Sequence, residues 1–504
     1  FARIAVNGIS AGHRDGDQGL EQQGIGIHGA GLRAVQIVTV VLLGLKLLQL
    51  STTGVFQDEA YYWMWSQHPS LSYFDHPPLN AWLLWLSSHI FGWNRFALRL
   101  PVALSVVADI VALWMIARRL DGTAWQGQFW LSVLLLLATP VFWLVTSLAL
   151  PDYVLLATCL LSIAWFTRFF MDRAEGQAGR SADLYLAAIA LGFAGLSKYN
   201  AAILAIGVGL YVIAVHRSLL REPRLYLAAA ITLVMQAPVV YWNLTEGLAS
   251  WEFILRGRHN GLRASYDGIL GFAFGVLILI SPFLFWPIVK FVAGREAVPG
   301  TWFARVTFVL SSLVILAVCL VTLVLPHWNL VAYLVLLPFL PRLMRPYWLI
   351  IGQTIWGLFY VVATIVNYGF LPISDVEQWR DEGTGWSYGW GPIAAAVEQA
   401  KTQHRIGFVA APDYTTASLL GFYTHDAAVT SLSAARDEFD YWFDPEAHAG
   451  EDALLFDDNW RPMSSDITSH FASVTPLVTL PVVVGGKELD VHRLYLASGY
   501  KPNG

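Results

Sequence analysis

Residues 57–80 read QDEAYYWMWSQHPSLSYFDHPPLN. The stretch holds three acids (Asp58, Glu59, Asp75), two histidines (His68, His76), six aromatic rings and a diproline at Pro77 and Pro78, and it directly follows an apolar run at 33–50. Carboxylates set among aromatics at a bilayer surface are costly to place and suit the handling of a polar group carried on a lipid. Proline cannot sit in a helix interior, so Pro77 and Pro78 fix a turn that presents Asp75 and His76. The stretch therefore reads as the active-site loop of an enzyme working at a membrane surface, with the rest of the chain as its frame.

That frame is apolar. Of 504 residues, 56% are hydrophobic and only 13% charged, against about 25% charged in soluble domains, and mean hydropathy is +0.52. A polytopic helical membrane protein follows. A net charge of -5 argues against a nucleic-acid partner. Cys159 and Cys319 lie in separate apolar runs and suggest neither a disulfide scaffold nor a zinc cluster. Runs long enough for spans fall near 33–50, 97–117, 126–145, 150–170, 183–197, 200–216, 225–242, 269–289, 303–325, 329–341 and 347–370, about eleven in all. The fifth and sixth are split only by SKYN at 197–200, and the tenth is short. With the N-terminus inside, the inward loops carry thirteen Lys and Arg residues and the outward loops six, as a cytoplasmic bias requires. The loop at 51–96 and the C-terminal region then face outward. Residues 1–31, rich in Gly, Gln and His, read as a disordered cytoplasmic tail.

Further polar residues fall on the same outward side. Leu79–Phe91 reads equally as a helix in the interface, with Trp82 and Trp85 at headgroup level, and as an ordinary half-buried helix. Asp152, after Pro151, heads the fourth span; it reads equally as a helix-start acid favoured by the dipole and as a second site acid. A lone lysine such as Lys198 in GLSKYN would snorkel to the interface, but the break between the runs falls at this residue on the outer side, at the depth of a prenyl-linked phosphate, which favours phosphate contact. Arg256, Arg258, His259 and Arg263 cluster in the loop 244–268, suited to phosphate or to lipid headgroups. His327 and Trp328 lie in PHWN at 326–329, where His327 would meet phosphate or sugar and Trp328 would anchor at the interface or stack on a sugar. From about Leu371 the composition turns soluble. Strand-like RIGFVAA, ALLFDD and LPVVVGG alternate with helix-like AAAVEQAK and TTASLLGFY, and Gly485–Gly486 marks a hairpin turn. Residues 371–504 thus read as a small α/β domain outside the membrane, with no nucleotide-binding fingerprint.

The chain resembles the polyprenyl-phosphate-dependent membrane glycosyltransferases of the GT-C fold, the branch similar to bacterial lipid A aminoarabinose transferases and protein O-mannosyltransferases. The resemblance runs through FQDEAYYW (56–63), YFDHPPL (73–79), FALRLP (96–101), LPDYVLL (150–156), GLSKYN (195–200), RGRH (256–259) and PHWN (326–329). It covers roughly 33–370, so it implies a transmembrane GT-C catalytic region at 32–370 and a periplasmic domain at 371–504. It implies Asp58 as general base, with Glu59, Tyr62, Asp75, His76, Asp152, Tyr199 and His327 lining the substrate and Lys198, Arg256, Arg258 and His259 on the donor phosphate. It further implies inversion at the anomeric carbon, a polyprenyl-phosphate sugar donor, and a lipid A, lipopolysaccharide or other envelope glycan acceptor at the periplasmic face of a bacterial inner membrane. One departure stands out: aminoarabinose transferases carry DExRY, whereas here Tyr61 of DEAYY takes the arginine's place, so galacturonate, mannose or another hexose is as apt a sugar. No metal is required by these residues, although Asp58, Asp75 and His76 would accept a divalent cation. The rival class is a transporter or flippase for a lipid-linked sugar. Against it, the charges gather in loops on one side and no two-half repeat is evident.

Overall fold

The computed structural model describes residues 27–255, 266–294, 298–320, 322, 324–374 and 381–502. The chain runs through α1 (Gly29–Thr52), α2 (Gln57–Gln67), α3 (Leu79–Phe91), α4 (Arg95–Asp121), α5 (Trp125–Ala138), α6 (Pro140–Val145), α7 (Pro151–Ala174), α8 (Ser181–Ser197), α9 (Ala201–Val215), α10 (Pro223–Val234), α11 (Ala237–Thr245) and α12 (Ala249–Leu255). It continues through α13 (Tyr266–Ile280), α14 (Pro282–Val292), α15 (Trp302–Cys319), α16 (Leu330–Leu336) and α17 (Trp348–Gly369). Among the described residues, five helices are long and apolar enough to cross a membrane, or seven if each bent pair forms one span. A helix stands at each of the eleven expected positions, but the composition-and-length criterion does not extend to eleven crossings. The expected seventh and eighth spans are the bent pairs, at 44° and 100°, and the tenth contracts to the short α16. Large apolar side chains such as Leu104, Leu270 and Phe359 lie exposed on these helices, as lipid contact requires. This is a multi-pass helical membrane protein.

The break between α8 and α9 is real: Lys198 is extended (φ -154, ψ 139), which ends α8. Pro151 opens α7, where its missing N–H is harmless, so Asp152 sits in the first turn. Cys159 and Cys319 are buried and unbonded. Residues 1–26 of the expected tail lie outside the described residues, and α1 already begins at Gly29.

After α17 come α18 (Glu382–Trp386), α19 (Trp390–Gln403) and α20 (Tyr414–Thr424), interleaved with a five-stranded sheet. Its strands β1 (Phe408–Ala411), β2 (Thr430–Ser431), β3 (Ala453–Asp457), β4 (Phe471–Val484) and β5 (Lys487–Tyr500) lie in the order β2-β1-β3-β5-β4. The β1–β2 and β1–β3 pairs are parallel, and the long β4–β5 hairpin is antiparallel. Gly485 and Gly486 make its turn at φ of +58° and +81°, a conformation most side chains resist.

The C-terminal part is not a detached cap. Its Trp390, Leu419, Phe422, Phe439 and Leu494 share one apolar core with Ala60, Trp63 and Trp65 of α2 and with Tyr153 of α7. Every residue from Glu59 to Ser66 is buried, so the first half of the opening stretch is a helix clamped between layers and not a surface loop. Two glycines allow the close approach. A side chain at Gly54 would strike the Ser387 carbonyl, and one at Gly421 would strike Met64 at 2.8 Å.

Candidate active site

The site is assembled by buried hydrogen bonds that sew the first loop to the outer ends of the spans. Glu59 is fully buried. Its Oε2 accepts the Phe56 amide at 3.1 Å, the reach-back that fixes a helix start, and its Oε1 accepts the Ala149 amide at 2.9 Å. Arg99 of α4 donates to both Glu59 oxygens, at 3.1 and 2.8 Å, and its remaining N–H groups take the carbonyls of Thr53 and Gly54. Asn80 donates to the Ala149 carbonyl at 3.0 Å, and Ser197 to the Pro151 carbonyl at 2.6 Å. Glu59 was expected to line the substrate. All its oxygens are instead spent on protein donors, so it is a clasp between α2, α4 and the turn before α7.

Next to that clasp, Asp58 and Asp75 are half-buried. Both press on the Tyr414 hydroxyl of α20, whose pKa is driven upward by burial first and then by Asp58, Asp75, Asp413 and Asp437. His76 is buried, with the Tyr62 ring 6.0 Å away. Across the clasp, Lys198 places its ammonium 2.9 and 2.8 Å from the two Asp152 oxygens, both side chains being buried. His327 is close enough to Asp152 to act on its charge. Tyr199 bonds Ser250 at 2.9 Å and lies beside Ser72 of the first loop, and the next residue, Asn200, donates to the Trp328 carbonyl at 3.0 Å. Asp58, Tyr62, Asp75 and His76 therefore form one group, and Asp152, Lys198, Tyr199 and His327 a second, joined through Glu59–Ala149 and Ser197–Pro151. Arg256, Arg258, His259 and Arg263 lie outside the described residues.

One expectation for aromatics changes. Trp82 turns inward and donates to the Ser70 carbonyl at 2.8 Å, leaving Trp85 as the exposed ring of α3. Trp328 packs beside Val318, Cys319 and Val324. Among the described residues, no group of three or more His, Cys, Asp and Glu is arranged to hold a metal ion, Asp58, Asp75 and His76 included.

The roof supplies residues that the sequence did not suggest. Glu438, almost fully buried, accepts the Phe74 amide at 2.6 Å, and its own amide donates to the Tyr61 hydroxyl at 3.0 Å. Tyr61 thus docks the C-terminal part at the position where the resembled transferases carry arginine. Asp437 beside it is pushed up to about 7, by burial first, with the charges of Asp440 and Asp75 adding. The DEFDYWFD run at 437–444 has the same mixture of acids and aromatics as the first loop, and that was the available signal.

Among the described residues, two apolar grooves lie between the helices. One of about 280 Å³ starts at Tyr199 and Trp251 and is lined by Gly195, Ala202 and Val240. It shares Leu191, Ala205, Thr232 and Leu233 with a cavity of about 370 Å³ that continues to Phe170 and Leu219. The other, of about 350 Å³, lies between α3, α4 and α7, with Leu86, Ile90, Tyr153 and Leu161 in its wall.

A multi-helix frame with an α/β roof over an acid-bearing first loop defines a GT-C-fold membrane protein. The fold likeness is extensive: ArnT from Cupriavidus metallidurans bound to undecaprenyl phosphate superposes with a TM-score of 0.63 at 16% identity, over 92% of this chain and 98% of that one. Its apo form gives 0.61 at 15% identity over the same shares. Residues 75–242 match the family described as dolichyl-phosphate-mannose-protein mannosyltransferase. The chain is also 24% identical over 277 residues to the lipid A galacturonosyltransferase RgtD of Rhizobium johnstonii, a match over 51% of this chain that spans about half (55%) of that relative's length.

Proposed function

We propose that the chain is a glycosyltransferase that moves a sugar from a polyprenyl phosphate to a lipid A, lipopolysaccharide or related envelope acceptor, at the periplasmic face of the inner membrane. The observation that carries this reading is the joining of two half-sites, Asp58 with Asp75 under the Tyr414 roof and Lys198 with Asp152 and His327, by the buried clasp at Glu59. The matched relative's activity favours galacturonate as the sugar.

In this mechanism Asp58 takes the proton of the acceptor hydroxyl as its oxygen attacks the anomeric carbon from the face opposite the phosphate. The carbon–oxygen bond to phosphate breaks, its electron pair leaves on the polyprenyl phosphate, and the anomeric configuration inverts. General-base assistance of this kind is worth about 10² to 10⁴ in rate. An ammonium has three donors, and among the described residues Lys198 bonds through Asp152 alone, which leaves capacity for a phosphate oxygen. Lys198, with His76 and the arginines of 256–258, stabilises the charge gathering on the leaving group. The groove beginning at Tyr199 takes the prenyl tail, since it starts at Lys198's neighbour. No step needs a metal, and loss of turnover on chelation with rescue by a divalent ion would add one.

The test is transfer of labelled sugar by purified protein from synthetic polyprenyl-phosphate galacturonate to lipid A in nanodiscs. Labelled product with inverted configuration is expected. Movement of the donor across liposome membranes without transfer would replace this reading with a flippase.

A further inference from the structure

We propose that Glu438, on the C-terminal part, is a positioning residue for Asp75, which makes the roof a component of the active site. The inference rests on the transferase reading for the importance of Asp75, but not for the contact itself. The turn at 74–78 ends in Pro77 and Pro78, which carry no N–H, so its anchoring donors are confined to Phe74–His76. The Phe74 amide is given to Glu438 at 2.6 Å, across 364 residues of sequence.

Glu438 is itself held on a rigid peg. Its amide meets the Tyr61 hydroxyl at 3.0 Å, the Asp437 carboxylate accepts the Phe439 amide at 2.8 Å, and the Asp440 carboxylate accepts the Asp437 amide at 2.7 Å. Phe439, 1% exposed, is sunk in the core shared with α2, and the Tyr61 ring lies between Phe439 and Tyr414. A third acid beside Asp75 and Asp437 is electrostatically unfavourable, so burial of a carboxyl at this point is explained by what it grips. Through the Phe74 amide it sets the height and direction of the residue that follows, Asp75, and of His76 after it.

The experiment compares E438A, E438Q and Y61F in nanodiscs by steady-state transfer and by amide exchange of residues 70–78. Losing a buried hydrogen bond of this type costs about 10- to 100-fold in an equilibrium. E438A is expected to lower kcat and raise exchange of 70–78 by that order, with donor KM within about twofold of wild type. E438Q keeps an oxygen for the Phe74 amide and is expected to restore both. Y61F keeps the ring and removes the hydroxyl, and is expected to show a smaller change of the same sign even if E438A does not fold. Unchanged exchange of 70–78 in E438A and Y61F would overturn the anchoring, whether or not the protein transfers sugar. An E438Q enzyme as slow as E438A with normal exchange would overturn the positioning role. A wild-type protein with no transfer but the expected exchange changes would instead remove the transferase reading and leave the anchor standing.

Discussion

Two buried ion pairs lie close to one another in this protein and differ in how fully their hydrogen bonds are met. In Glu59–Arg99 every strong acceptor and most donors are filled from within: Glu59 takes Arg99 twice and the amides of Phe56 and Ala149, while Arg99 also holds the backbone of Thr53 and Gly54. In Asp152–Lys198 the lysine gives two hydrogens to one carboxylate, and among the described residues none elsewhere. Both pairs carry the desolvation cost of burial. The filled pair returns it as geometry, fixing the start of α2 against the start of α7. The partly filled pair keeps a charged donor in reserve beside His327 and an apolar groove. On the proposed reading, spare hydrogen-bond capacity, more than charge or burial, marks Asp152–Lys198 as the pair that would meet a ligand.

Breaking the filled pair should give the larger effect. Glu59→Ala leaves the Arg99 guanidinium buried without its carboxylate, a loss of about 3–5 kcal/mol, so the variant should fail to yield monodisperse protein or should melt far below wild type in detergent. A melting temperature equal to wild type would erase the distinction drawn here. Lys198→Met should be milder on folding and strong on binding. Affinity for a short polyprenyl phosphate, read by tryptophan quenching or calorimetry in nanodiscs, should fall about 10- to 100-fold; unchanged affinity would make this pair structural as well.

A smaller effect sharpens the contrast from the roof side. Asp437 is held up at about 7, by burial first and then by its acidic neighbours, against an ordinary value near 4. The folded state therefore binds a proton more tightly than the unfolded chain, and stability falls as pH rises from about 4 towards 7 and stays lowered above it. Thermal stability should drop between about pH 5 and pH 7 and level off above that, and Asp437→Asn should remove part of that slope. Asp458, raised to about 7 by burial and by Asp490, and Glu438, raised by burial and then by Asp75 and Asp437, contribute to the remainder. A slope unaltered in Asp437→Asn would mean that the roof contact does not titrate.

Much of the frame was legible in the sequence because its signals are local. Apolar runs mark the helices, Lys198 and its neighbours break α8 from α9, and Gly485–Gly486 marks the hairpin. The first loop announced itself through its acids and aromatics. What stayed hidden was the division of labour between adjacent acids. Asp58 and Glu59 are chemically alike, but one step along a helix turns a side chain by about 100°, enough to send one into the clasp and leave the other half-exposed. Arg99 stood in the FALRLP motif without revealing a partner forty residues away. The roof residues Tyr414, Asp437 and Glu438 were missed for the same reason. Their contacts with Tyr61 and Phe74 close loops of more than 350 residues, which no local pattern encodes.

The central claim is that Asp58, half-buried beside the Glu59 clasp, removes the acceptor's proton. Single-turnover transfer by Asp58→Asn, measured beside its affinity for polyprenyl phosphate, tests this most directly. The account predicts a rate lowered by at least about 10²-fold with binding and melting temperature close to wild type. Transfer at the wild-type rate would contradict it.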